Sequence, residues 1–426
     1  MKILPLALAQ FIASYAATNM NVAISTIADD LGTTITGVQT TITLFTLVMA
    51  ALMVPGSKLT DIWGRRRCFV IGLAIYGTGA LLAALAPGPG LLLVGYAFLE
   101  GTGSALMIPP IYILVTALTT DPTSRARGFG MVSGAGGLGA AAGPLIGGLI
   151  TSTFSWRASF LLQVAVVAVI IVMARRLPKP TTGRQKFDLI GAFLSGAGLT
   201  LIVLGFLRTN VNGWQATTWL LIAAGATTLA GFAWHITRSK NPLCDPKLFK
   251  DRTSNLGLGT QLVQWLVLQG TFFVLSVHLQ QEQGFTAIGT GLALLPATIG
   301  MLVTSALAGR LARKHKQNTL IRAGFALTIV GTLQPEQGLF LIGAGIGIML
   351  TASVNVVQSR WPDEDQADVS GVSRAVSNLG SSLGTALVGS VLVGAGHPYQ
   401  AALTMLVLFG ATGFVLALFI RSGERP

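Results

Sequence analysis

Charge is scarce in this 426-residue chain: Asp, Glu, Lys and Arg make up 10% of it, against 52% apolar residues. An ordinary soluble domain carries about a quarter charged residues, so the deficit excludes a fold bathed in water on all sides. Cysteine and histidine are scarcer still. Cys68 and Cys244 stand alone, and with four scattered histidines they give neither a disulfide framework nor a metal-ligand spacing. No nucleophile stands in a pattern with a base, which leaves nothing to support an enzyme. Acids are the rarest of the charges, 15 against 28 Lys and Arg, for a net charge of +13. In a soluble chain that excess would raise the question of nucleic acid, but its placement answers otherwise.

What is abundant is long apolar sequence. Fourteen stretches approach the roughly 17–25 residues needed to cross a bilayer. They lie at about 4–27, 36–56, 68–86, 90–113, 128–151, 157–174, 189–207, 217–237, 255–279, 287–309, 319–334, 338–358, 369–394 and 400–420. With both termini cytoplasmic, the outer loops hold only Arg157 and Arg208, so 26 of the 28 basic residues fall on the inner side. That is the positive-inside bias of a multi-pass protein of the cytoplasmic membrane, and it excludes nucleic acid as the partner of the charge. The first stretch carries Gln10, Asn19 and Asn21 and has no small-residue cleavage site, so it is expected to be a retained span.

Glycine is concentrated at residues 130–148, GMVSGAGGLGAAAGPLIGG. Each glycine inside a helix costs roughly 0.8–1.0 kcal/mol relative to Ala in water, whereas in a bilayer small residues let a neighbouring helix approach closely. Gly130, Gly139, Gly143, Pro144, Gly147 and Gly148 together resemble the antiporter motif on the fifth span of drug exporters in the major facilitator superfamily. A second signature follows the second stretch. Residues 56–67, GSKLTDIWGRRR, resemble that superfamily's loop G-x-L-x-D-x-x-G-R-R. Asp61 there, among cations at a membrane edge, is a candidate latch with Gly64, Arg65 and Arg66, pairing with arginine or capping a helix in one conformation and releasing in another.

Glu100 lies about ten residues inside an otherwise uncharged stretch, hence near mid-membrane at about 1.5 Å per residue. An ionised carboxylate at that depth is expensive, so it must face a cavity or a partner, or take up a proton. Proton carrier and structural acid are both open readings; the absence of any other acid so deep in a span favours the first. Residues 100–105, EGTGSA, resemble the end of the family's fourth-span motif, R-x-x-Q-G-x-G-A-A, with Ala97 in place of the arginine and Glu100 in place of the glutamine. On the first span Gln10, Ser14, Ala17 and Asn21 share one helical face. That stripe either bonds to neighbouring helices or lines a cavity. Residues 18–23 resemble the family's first-span signature, but Ala16 stands where many relatives have an acid.

Ser155-Trp156-Arg157 with Phe160 resembles the start of the family's sixth span, and Trp156 is expected as an interfacial anchor. Residues 1–174 are thus expected to form one six-helix half. Residues 175–254 hold basic linkers and two extra spans of little polar character, which resemble the pair that distinguishes fourteen-span exporters and are expected to pack outside the core. Residues 255–426 form the second half. There Gln261, Gln264, Trp265, Leu268 and Phe272 share a face suited to an amphipathic ligand or to helix packing. Asn355 belongs to another polar-leaning face, and Gly309 to Lys314 echoes the Gly56 loop with Arg313 at the acid's place. Gly371-Val-Ser-Arg374, Asn378, Gly380 and Gly384 again resemble the fourteen-span family. Asp363, Glu364, Asp365 and Asp368 are expected to form a solvated patch.

The resemblance implies an all-α integral membrane fold, two six-helix halves plus two extra helices, in the fourteen-span drug:proton antiporter family. It implies alternating access, a proton gradient and no cofactor as the energy source, and a monomer exporting an amphipathic compound. A lipid or metabolite exporter of the same fold, and a non-transporting sensor or scaffold, are the alternatives. With Ala16 in place of an acid, recognition of cations would rest on Glu100, so neutral or anionic amphiphiles enter as substrates.

Overall fold

The structure is a computed structural model describing residues 3–119, 122–177, 187–212, 214–362, 365–394 and 398–420. Residues 178–186 of the linker, Asp363 and Glu364 lie outside the described residues, as does the Arg313 side chain. In the first part of the chain the helices are α1 (Leu4–Asn19), α2 (Ile24–Asp30), α3 (Ile35–Trp63), α4 (Arg65–Ala84), α5 (Pro89–Leu92), α6 (Gly101–Leu118), α7 (Pro122–Thr153) and α8 (Trp156–Ala174). A central pair follows, α9 (Leu189–Asn212) and α10 (Ala216–Arg238). The last part holds α11 (Arg252–Val277), α12 (Ala287–Ala293), α13 (Leu295–Lys314), α14 (Gln317–Leu333), α15 (Pro335–Gln358), α16 (Gln366–Gly394) and α17 (Pro398–Leu418).

Local chemistry explains the breaks. Gly64, at φ 92°, takes a backbone conformation that a side chain would strain, and it turns α3 directly into α4. Thr34, Ser155, Asp251 and Thr286 accept backbone N–H groups at the starts of their helices. A 3-10 turn over Met20–Ala23 separates α1 from α2, and π-helical turns lead from α5 into α6 (Leu93–Glu100) and extend α11 (His278–Glu282). Among the described residues eleven helices are long and apolar enough to cross a membrane, or twelve if α12 and α13, bent by 47°, count as one span. Every apolar run of the sequence falls on a helix or a broken helix. The two outside that count are the shortest: α1 has 16 residues before its break and α14 has 17.

The first eight helices pack among themselves, α1 along α7 and α4 against α6 and α8; α11 to α17 do likewise, with α15 against α13 and α14. The two groups meet where α3 lies on α16 and where α7 meets α12 and α13. The central pair is not remote from that seam. Val203 and Leu207 of α9 join Leu47 of α3 and Ala386 of α16 in one apolar cluster, and α10 packs on α9.

The crossing of α1 on α7 is set by glycines and one proline. A Cβ at Gly139 would overlap the Phe11 backbone, one at Gly143 the Thr18 side chain, and one at Gly147 would press on Asn19. Pro144 has no N–H to give Ala140 O, four residues back, yet α7 runs unbroken through it. Thr18 Oγ1 of α1 donates to that carbonyl at 3.0 Å and replaces the lost bond. Gly130 differs from the rest of its motif, because a Cβ there would meet nothing within 4 Å. We expect Gly139→Val to lower the melting temperature of the purified protein, an overpacking cost of about 1–3 kcal/mol. Gly130→Ala should leave it unchanged or raise it slightly, since Ala is the better helix former.

Candidate functional site

The loop signature lies at one end of the seam. Asp61 is half-buried in the last turn of α3, within electrostatic reach of Lys58 and Arg65. Lys58 and Asp61 also interact with Asp368 of α16, whose Oδ2 accepts the Asp245 N–H at 3.3 Å. The loop therefore acts across the two groups of helices. Arg66 is engaged elsewhere, donating to the Leu177 carbonyl at 3.2 Å. The same end is tied to the central pair through Asp188. Its carboxylate accepts from Gly191 N at 2.9 Å and Leu243 N at 3.1 Å, and contacts His235 Nε2 at 2.9 Å. Burial pushes the neighbouring Cys244 thiol up to about 12, which keeps it protonated and unreactive.

Glu100 is fully buried at the end of the π-helical turn, and neither carboxylate oxygen makes a hydrogen bond of normal geometry. It sits inside the first group of helices, in electrostatic reach of Tyr76 and Tyr96. Tyr76 hydrogen-bonds Gln163 Oε1, and the Tyr96 hydroxyl donates to the Ala16 carbonyl at 2.9 Å while its ring stacks on Phe45. Beside them Asn19 Nδ2 donates to Ser159 Oγ at 2.8 Å, and Tyr15 shares that hydroxyl. This is a buried polar network running through α1, α4 and α8 with the carboxyl of Glu100 at its edge. Neither Tyr76 nor Gln163 was signalled by the sequence, because a lone polar residue in an apolar span carries no pattern.

The opposite end of the seam is closed by uncharged contacts. A Cβ at Gly148 would overlap the Ala287 carbonyl of α12, and one at Gly291 the Pro144 carbonyl. Ser152 Oγ accepts from Ile288 N at 3.0 Å. Gln280 donates to Asn21 O and accepts from Ser25 N, both at 3.2 Å, so it bridges the 3-10 break in the first span. Gln269 Nε2 donates to Ala17 O at 2.8 Å. The motif glycines thus serve two contacts, Gly139, Gly143 and Gly147 against α1, and Gly148 with Pro144 against α12.

The expected cavity residues divide. Of the first-span stripe, Ala17 and Asn21 offer carbonyls to α11, and both polar atoms of the Asn21 side chain are buried without a partner. Gln10 lies against Gly136 and donates to Ser14 at 3.3 Å. Gln261 and Gln264 bond within the second group: Gln261 donates to Ser353 O at 3.0 Å and accepts from Ser373 at 2.7 Å, and Gln264 Oε1 accepts from Ser353 Oγ at 2.9 Å. Leu268 and Phe272 are buried, whereas Trp265 and Asn355 are half-buried. Trp156, expected as an interfacial anchor, is turned into the protein at the start of α8. It is 2% exposed, edge-on to Phe160, with Nε1 donating to Asp30 at 3.1 Å, because the aromatic neighbours of α8 draw it inward.

Two packed groups of helices long and apolar enough to cross a membrane, joined along one seam, are the build of a multi-pass membrane protein. The profile of the Major Facilitator Superfamily matches residues 6–334, and the chain belongs to that family. It is 31% identical over 412 residues to the puromycin resistance protein pur8 of Streptomyces alboniger, covering 92% of this chain and 82% of the other. Over 403 residues it is 30% identical to a probable actinorhodin transporter of Streptomyces coelicolor, covering 88% and 69%. The multidrug resistance protein Stp of Mycobacterium tuberculosis is 27% identical over 387 residues, covering 88% and 72%. In fold it is similar to a crystal structure of the peptide transporter POT in complex with sulfate, at a TM-score of 0.69 and 15% identity, covering 98% and 93%. The protein is a transporter and not an enzyme.

Asp30, at the end of α2, lies outside the apolar spans. The Arg157 hydrogen bond holds its carboxyl below the usual carboxylate range, helped by Trp156. The contribution of this tie is present above the unfolded carboxylate value near 3.9 and is lost as pH falls through the lower folded value. Both partners are substantially exposed, so it amounts to less than about 1 kcal/mol. We expect Asp30→Asn to melt slightly below the wild type at pH 7 and together with it in strong acid.

Proposed function

We propose that the protein is a proton-coupled antiporter that exports amphipathic compounds across the cytoplasmic membrane by alternating access. It works as a monomer with fourteen spans and both termini cytoplasmic, α1 with its broken extension and α14 making the thirteenth and fourteenth. The two helix groups rock about the seam, with Asp61 and its basic neighbours latching one end and the α7–α12 contact closing the other. Relatives named for resistance to, or export of, antibiotics support small molecules as cargo.

The observation that carries proton coupling is Glu100. A fully buried carboxylate whose polar neighbours are tyrosine hydroxyls, with no basic group of the described residues beside it, is poorly compensated if ionised. The position suits a group that holds a proton in this conformation and releases it where movement of the helices admits water. The Tyr76 hydroxyl, in reach of both Gln163 Oε1 and the carboxyl, can donate to one acceptor at a time.

The test is transport in proteoliposomes under an imposed pH gradient, with wild type and Glu100→Gln and a panel of dyes and lipids. Gradient-driven uptake should fall at least about tenfold in Glu100→Gln while dye binding persists, as expected for a positioned proton-transfer group. Equal driven transport by both proteins would make the carboxyl structural. Movement of lipid alone would reassign the cargo.

A further inference from the structure

Arg374 is charged, belongs to a span and stands at the seam between the two helix groups. It lies six residues into the span that begins at Asp368, roughly 9 Å along the helix. The packing of α16 shows which way it points. Gly371 and Ser382 meet α3, while Ser373, Gly380 and Gly384 meet α11. Arg374 occupies the helix surface between those two faces, and at 100° per residue Asn378 and Ser381 share it. From across the seam Tyr112 of α6 meets it: the guanidinium lies 5.3 Å from the ring centroid and Nη2 donates to the hydroxyl.

No carboxylate of the described residues pairs with Arg374. Asp368, on the same helix, engages Lys58 and the Asp245 amide, and Glu100 is enclosed within the first helix group. The first span brings no acid either, since Ala16 is buried there. A guanidinium has five N–H donors in a planar fork that matches a carboxylate or sulfonate, and the Tyr112 hydroxyl takes one of them. An unpaired arginine inside a span marks a functional position, and the ring beneath it supplies an apolar surface for the body of a ligand.

We propose that Arg374 is the anchor for an acidic group on the transported compound, so that the cargo is an anionic amphiphile. Asn378 and Ser381 lie next along the same face and line the path above it. This rests on the exporter reading and names its substrate class.

The experiment compares two dyes built on one xanthene core, anionic fluorescein and cationic rhodamine 123, in gradient-driven uptake by proteoliposomes. Wild type should move fluorescein faster than rhodamine 123. Arg374→Gln should slow fluorescein by roughly ten- to hundredfold, the loss expected for a charge-assisted hydrogen bond. Arg374→Lys, which keeps the charge and loses the fork, should retain the preference for fluorescein at reduced rate and serves if the Gln variant does not fold. Preference of the wild type for rhodamine 123, or fluorescein transport by Arg374→Gln at the wild-type rate, overturns the anchor and leaves the exporter intact. Equal loss of both dyes in a monodisperse Arg374→Gln also overturns it, making the residue a clasp on Tyr112. If wild type moves neither dye under the gradient, the exporter reading falls with it.

Discussion

The hydrogen bond from Thr18 to the Ala140 carbonyl joins two requirements that the bilayer imposes on this chain. Backbone polar groups in hydrocarbon must be satisfied within the protein, and Pro144 removes the donor that Ala140 O would have in a regular helix. A hydroxyl from another span can reach that carbonyl only if the two helices nearly touch. Gly139, Gly143 and Gly147 provide the approach, and Thr18 then supplies the bond. With α1 fixed on one face of α7, the opposite face, at Pro144 and Gly148, is free to receive α12. The contact between the two helix groups at that end thus follows from a pairing made inside the first group.

Side-chain amides do the corresponding work where helices are interrupted. Met20–Ala23 departs from α-helix and leaves backbone groups that regular geometry would have paired. Gln280, itself on a π-helical turn, takes one carbonyl and one N–H at that break. Amides suit this position because they both donate and accept without charge, so the contact can open and close at no cost of ion desolvation. The other end uses charge: Lys58 attracts the Asp368 carboxylate across the seam, while Asp61, a like charge, repels it. The seam thus has neutral contacts at one end and charged groups of both signs at the other.

Few charges lie deep in the spans, and each differs in surroundings. Glu100 is enclosed by tyrosines in one helix group, whereas Arg374 is half-buried at the seam against a single tyrosine ring. The first environment is the basis of the proposed proton coupling. The second suits contact with something that comes and goes.

The apolar runs, their interruptions and the side of the membrane favoured by basic residues are properties of the chain in order, because hydropathy and loop charge act locally. Each apolar run coincides with a helix or a broken helix, although eleven or twelve, not fourteen, are long and apolar enough to count as spans among the described residues. The glycine spacing at 130–148 was equally legible as a packing face, yet it does not say that Gly130 faces open space while Gly148 faces a different helix from Gly147. That division depends on which neighbours the tertiary structure sets around α7. The same holds for Gln261 and Gln264, whose helical face was visible but whose partners, Ser353 and Ser373, lie about a hundred residues away. Trp156 turned inward for a similar reason, drawn to Phe160 and Asp30. Sequence by itself determined that this chain spans a membrane and where its rare charges sit along each span. Only the tertiary structure decided which of them are enclosed and which face the seam, because burial and pairing are set by helices remote in sequence that small residues allow to meet.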